Sequence, residues 1–213
     1  MKTLRQQAFQ PIENYGLIGN LCTAALVGMD SSIDFLCFPE FDSPTVFAAL
    51  LDPNRGGSFS IRPQISGVQS KQMYAAESNV LITRFLSNDA TAEIIDFMPL
   101  TAITQKRNLI RIVRVIHGGI PWQVTCQPAF DYARSAHEVD RREGRVIFRP
   151  ANNQCCAMLL RATVPLHACS GCAVSTFTLE KGKSTVFIFG DLETRRNRDR
   201  LTRTRLIGIW RPP

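Results

Sequence analysis

The chain is 213 residues long, 45% hydrophobic and 20% charged, with a formal net charge of +7. That is an ordinary soluble globular composition, enough for one sizeable core or two small ones. The opening stretch MKTLRQQAFQPIENYG holds no apolar run fit for a signal-peptide core, and the apolar residues 21–29 are too few to span a bilayer, so a cytoplasmic protein without a membrane partner is expected.

In chain order, the first predicted element is a short helix. Ser43 is placed to cap it, Pro44 fits its first turn, and Phe47, Leu50 and Leu51 form an apolar stripe across TVFAALLD. Eight strand-like runs rich in Val, Ile, Phe and Thr follow, at 80–85, 91–97, 109–117, 122–127, 146–149, 157–163, 173–179 and 185–189. Trp122, Val124 and Cys126 alternate with Gln123, Thr125 and Gln127, as a half-buried strand requires. Gly118 and Gly119 before them read as a hairpin turn, and so does Glu180-Lys181-Gly182-Lys183. Strands at this spacing without long helices between them predict an all-β fold, an antiparallel β-sandwich of the supersandwich type carrying one short helix. No internal repeat or low-complexity linker precedes Asp191, so residues 1–190 are expected to fold as one unit.

Seven cysteines, Cys22, Cys37, Cys126, Cys155, Cys156, Cys169 and Cys172, follow no framework spacing, and free thiols are expected rather than disulfides. His167, Cys169 and Cys172 carry the spacing of a partial zinc site. Only the adjacent Cys155 and Cys156 could complete it, and neighbours in a strand point to opposite faces, so no metal or cofactor is expected. The basicity is mostly a tail: residues 191–213 hold seven Arg against Asp191, Glu193 and Asp199, which is +4 of the +7. Those arginines neither line one face of a long helix nor alternate with aromatics. A poorly ordered, solvated tail is expected, and nucleic acid is not an expected partner.

The most informative residues are 33–52, IDFLCFPEFDSPTVFAALLD, with PIENYGLIGN and TAALVGMDSS just before them. Together they resemble the opening of glycoside hydrolase family 15, the bacterial glucoamylase-like and trehalase-like enzymes. Asn79-Val80-Leu81 with Thr83 and Phe85, Asp96-Phe97-Met98-Pro99, Arg111 with Val113 to Val115, and the run Pro128 to Arg134 continue the likeness. The resemblance implies an N-terminal β-sandwich, a linker helix and an α/α barrel whose two glutamates hydrolyse α-glucosidic bonds. This chain departs from it at Glu40, where the family more often has Arg, and at Phe35, where it often has Trp. Near the C-terminus only Trp210-Arg211 echoes the linker helix, which suggests a truncated or frame-shifted product.

Glycoside hydrolysis needs a carboxylic acid on the leaving oxygen and a second carboxylate about 6.5 to 9.5 Å away when water attacks directly. The candidate acids are Asp30, Asp34, Glu40, Asp42, Asp52, Asp96 and Asp131. Asp beside Ser-Pro or Gly more commonly serves turns and caps, and no catalytic residue is expected. The resemblance implies a substrate-facing wall of Phe38, Phe41 and Asp42, against the plainer reading of core phenylalanines and a helix-capping Asp42. The expected partners are a catalytic α/α barrel, an α-glucan or trehalose. The alternative is a stand-alone carbohydrate- or protein-binding sandwich.

Overall fold

The computed structural model describes residues 10–100 and 107–192. The strands are β1 (Tyr15–Gly19), β2 (Ala24–Gly28), β3 (Ile33–Cys37), β4 (Thr45–Phe47), β5 (Ser58–Pro63), β6 (Gln69–Tyr74), β7 (Leu81–Leu86), β8 (Thr91–Phe97), β9 (Asn108–His117) and β10 (Gly119–Gln127). After a one-turn helix, α1 (Phe130–Ala133), come β11 (His137–Arg142), β12 (Arg145–Pro150), β13 (Met158–Ala162), β14 (His167–Cys169), β15 (Cys172–Glu180) and β16 (Ser184–Asp191). They pair into two eight-stranded antiparallel sheets. The first runs β1-β2-β3-β5-β10-β15-β14 with β4 on β3, and the second runs β11-β12-β13-β16-β9-β8-β7-β6. The protein is an all-β sandwich. Among the described residues no helix is long and apolar enough to cross a membrane.

The period-2 pattern explains how the sheets face each other. Trp122, Val124 and Cys126 of β10 and Leu81, Thr83 and Phe85 of β7 are buried, whereas their neighbours along each strand are not. At the centre, Phe47 and Phe59 from the first sheet meet Phe187 and Phe189 from the second, with ring centroids 5.3–6.3 Å apart across the interface. Edge-on and tilted pairs at such distances add about 0.5–1.5 kcal/mol each beyond area burial. The outer faces differ. That of the first sheet carries Arg62, Gln123 and Thr176 in one cross-strand row, and that of the second carries Ile82, Ile95, Ile112 and Val186.

A fully buried ion pair lies in the second sheet, and its arginine reaches across the core to the first. Arg111 of β9 donates to both carboxylate oxygens of Asp96 on β8, at 2.8 and 3.1 Å, and across the core to the carbonyls of Phe59, at 2.6 Å, and Ser31, at 2.5 Å. Its guanidinium also lies 4.8 Å from the Phe59 ring centroid. Burial lifts the Asp96 carboxyl above its ordinary value while Arg111 pulls it down.

Three sequence expectations are corrected. The run Thr45-Val46-Phe47 is a strand, not a helix: it pairs with β3, and Phe47 is buried while Leu51 is 59% exposed, so the expected stripe does not share a face. Two β-branched residues and an aromatic fit the pleated surface that β3 offers, and pairing overrides the local helical pattern. The two glycine turns are not hairpins. β9 and β15 lie in different sheets from β10 and β16, so Gly118 and Gly182 (both φ +77°) turn arches across the sandwich, held side by side by Gly182 N–H donating to Val115 O at 2.9 Å. Finally, Cys169 and Cys172 form a disulfide across the β14–β15 turn, which removes both thiolates from any zinc site. The two sit directly opposite in the antiparallel register, a pairing that depends on strand alignment. The tail beyond Leu192, including Trp210-Arg211, lies outside the described residues.

Side chains fasten the two open sides of the sandwich. On one side the Tyr74 hydroxyl of edge strand β6 accepts from Leu17 N–H and donates to Leu17 O of edge strand β1, both at 2.9 Å. On the other, His137 Nε2 of edge strand β11 donates to Gly171 O at the β14–β15 tip, at 3.1 Å.

Candidate functional site at one end of the sandwich

The register places the β3–β4 loop, the loop 48–57 and the segment after β10 at one end of the sandwich. The peptide Phe38-Pro39 is cis, and the loop it opens is closed by Ser43, whose Oγ accepts from Glu40 N–H at 3.0 Å. Ala48 and Ala49 then donate to Gly56 O and Gly57 O, which folds the loop 48–57 back on itself. Gly57 (φ +67°) is required there, because a Cβ would stand 2.3 Å from Gln127 O.

The unusual element is α1. Asp131 (φ 53°, ψ 53°), Tyr132 (φ 55°, ψ 41°) and Ala133 (φ 62°) are three successive left-handed residues, none of them glycine. At about 1–2 kcal/mol per residue, the turn holds roughly 3–6 kcal/mol of unfavourable backbone energy. Its surroundings enforce it. Tyr132 N–H donates to Thr45 Oγ1 at 2.8 Å, Ala129 N–H to Val46 O at 2.8 Å, and Ser135 N–H to Phe130 O at 3.2 Å. Arg134 Nη2 binds Asp131 Oδ1 at 2.6 Å, and Phe130 is fully buried with its ring 5.2 Å from that of His137.

This turn presents Tyr132, 46% exposed, with the Arg134 guanidinium 5.5 Å from its ring centroid. An open cleft of about 280 Å³ lies beside it, lined by Ala48, Leu51, Asp52, Arg55, Tyr132 and Arg134 among others. The strained backbone and exposed aromatic beside this concavity make it the candidate ligand surface. Asp52 receives Asn54 N–H and Arg55 N–H at 2.9 and 3.1 Å, which orients its carboxylate at the rim.

Of the residues expected to face substrate, Phe38 is 3% exposed and packs in the core, so its ring is not on the surface. Phe41, 60% exposed, and Asp42 are at the surface of the β3–β4 loop, and no helix follows Asp42 for it to cap. Glu40 beside them pairs with Arg107 at 2.8 Å. Sequence reasoning passed over Tyr132, Arg134 and Asp52 as parts of a surface. The run containing Tyr132 and Arg134 stood out as a motif, yet nothing in Asp-Tyr-Ala signals a left-handed turn.

The other candidate acids serve the fold. Asp30 binds Arg62, Ser32 and Gln10; burial pushes its carboxyl up, and those partners outweigh burial to hold it below its ordinary value. Asp34 accepts from Tyr15 Oη at 2.9 Å and lies the same distance from Ser32 Oγ, which raises the Tyr15 hydroxyl pKa, after burial itself. Asp131 is held by Arg134 and Asp96 by Arg111.

The trehalase-like N-terminal family matches residues 2–164. The chain belongs to that family. β14, β15 and β16 of this trehalase-like N-terminal domain lie beyond the matched region, yet β15 and β16 are interior strands of the two sheets. The domain is 39% identical over 145 residues to Trehalase 1 of Sulfolobus acidocaldarius, covering 68% of this chain and 24% of that protein. It is 32% identical over 146 residues to the trehalase of Thermoplasma volcanium, covering 67% and 23%, and 31% identical over 150 residues to that of Mycolicibacterium smegmatis, covering 62% and 22%. The chain thus spans about a quarter of the length of these relatives.

Proposed function

We propose that this chain is the non-catalytic sandwich of a glycoside hydrolase of trehalase type, family 15, which hydrolyses an α-glucosidic bond in carbohydrate metabolism. The acid pair is supplied by a catalytic barrel outside these residues. The family match carries the reading, and the acids support it: Asp30, Asp96 and Asp131 are each tied to an arginine and Asp52 to a turn, which does not suit proton transfer to a leaving oxygen. The end bearing Phe41, Asp42, Tyr132 and Arg134 faces the glucoside. The apolar C–H face of a glucose ring packs on Tyr132, while Asp52, Arg55 and Arg134 meet its hydroxyls.

Two measurements test this. The purified chain is expected to release no glucose from trehalose, maltose or starch; release that vanishes in Asp42→Asn would overturn the non-catalytic assignment. Saturation-transfer NMR is expected to detect millimolar trehalose or maltose binding that Tyr132→Ala abolishes at unchanged stability. Binding that survives this substitution would remove the cleft from the proposal.

A further inference from the structure

The disulfide lies where it contributes little to folding. Cys169 and Cys172 enclose only Ser170 and Gly171, and closing so short a loop constrains the unfolded chain far less than closing a long one. It is also accessible, since all of β14 from His167 to Cys169 is exposed. Gly171, held at φ +73° in the tip, offers its carbonyl to His137 Nε2 at 3.1 Å; a carbonyl only accepts, so the imidazole carries its proton on Nε2. The same imidazole packs edge-on against Phe130, at 5.2 Å, and Phe148, at 6.0 Å. Phe130 is the first residue of α1 and leads directly into the left-handed Asp131-Tyr132-Ala133. A continuous line of contacts therefore runs from the disulfide through Gly171, His137 and Phe130 to the turn that presents Tyr132.

We propose that the Cys169–Cys172 disulfide is a redox latch on the Tyr132 surface. It rests, as regulation of that surface, on the ligand-facing reading above. The latch opens by exchange with a dithiol. One thiolate of the dithiol attacks a cystine sulfur and the S–S bond breaks, giving a mixed disulfide. The second thiol of the dithiol then releases it. The dithiol leaves as a disulfide, its two electrons remain on Cys169 and Cys172, and two protons complete their thiols. With the tip uncrosslinked, Gly171 O no longer holds one position for His137, Phe130 loses a fixed neighbour, and the left-handed turn relaxes toward ordinary backbone. Oxidising surroundings keep the surface formed, and surroundings where dithiols stay reduced dissolve it.

Hydrogen–deuterium exchange of the full chain, air-oxidised against dithiothreitol-reduced, tests the latch, with alkylation and mass spectrometry reporting the state of each cysteine. Amides of residues 129–137 are expected to exchange about tenfold faster after reduction, the size of one lost hydrogen bond, with β7 and β8 unchanged. His137→Phe keeps the ring packing but has no donor, and is expected to exchange at the reduced rate in both states. Equal exchange of 129–137 in the two wild-type states would overturn the latch, as would unpaired Cys169 and Cys172 in the oxidised protein. Trehalose binding measured alongside separates the two readings. An exchange difference without binding leaves the latch and refutes the glucoside surface, and binding without an exchange difference does the reverse.

Discussion

Arg111→Met removes the one side chain that ties β8, β9, β5 and the β2–β3 turn together, and its cost follows from the contacts it deletes. Asp96 would remain as a carboxylate with no exposed surface and no cation, a situation that costs about 3–5 kcal/mol. The carbonyls of Phe59 and Ser31 would also lose their donor, at about 1 kcal/mol or more each. Methionine fills much of the volume and recovers part of the burial, so a net loss of about 4 kcal/mol is expected, a large share of the roughly 5–15 kcal/mol typical of a domain. Urea unfolding of the wild type, Arg111→Met, Asp96→Asn and the double variant measures it. The single variants should each cost several kcal/mol and the double variant much less than their sum, with a coupling of about 2 kcal/mol or more. A cost below about 1.5 kcal/mol for Arg111→Met, or additive single costs, would refute the view that Arg111, oriented by Asp96, links the two sheets.

The Glu93 side chain is 1% exposed and pairs with Arg84 and Arg114 at 2.5 Å each. Burial raises its pKa, but the two arginines outweigh burial and hold it below the ordinary 4.5. In the window between the folded value and 4.5 the unfolded chain therefore binds more protons, so the contribution of Glu93 is complete above 4.5 and is lost as pH falls through the folded value. Glu93→Gln should cost about 2 kcal/mol at pH 7 and show a shallower acid decline than the wild type in denaturation series from pH 7 to 3; parallel curves would contradict this. Tyr74→Phe removes the hydroxyl that occupies both outward backbone groups of Leu17 on edge strand β1. Concentration-dependent self-association should rise in sedimentation velocity, and an unchanged monomer would mean that this edge needs no cover.

The strands with one buried face were legible because burial imposes alternation: β7, β10 and β16 could be placed within a few residues from Val, Ile and Phe spacing alone. β6 and β11, QSKQMY and HEVDRR, were not. They are edge strands with one neighbour each, almost no buried residues and hence no pattern to read. Sheet membership was equally invisible. A strand after Gly118 or Gly182 shows the same inward alternation whether it turns back beside its predecessor or crosses the core to the opposite sheet. In the candidate site, aromatic content marked the β3–β4 loop correctly as a place of interest but could not say which ring faces out; Phe38 packs inward and Phe41 outward. The disulfide depends on the register between β14 and β15, which cysteine spacing does not contain.

The left-handed turn ties the stability of this protein to its proposed use. Glycine at residues 131–133 would adopt these angles without the steric penalty, as it does at Gly57, Gly118, Gly171 and Gly182, although Leu21, Ser31 and Glu77 also hold positive φ singly. Asp, Tyr and Ala stand at 131–133 instead. Asp131 earns its place through Arg134, which it anchors beside the ring, but Tyr132 remains nearly half exposed. A side chain that strains the backbone and buries little contributes weakly to folding, so its value lies in what it presents outward. That is why Tyr132→Ala is expected to leave stability nearly unchanged while removing the sugar platform. A marked destabilisation by the same substitution would instead make the turn a packing element and shift attention to Phe41 and Asp42.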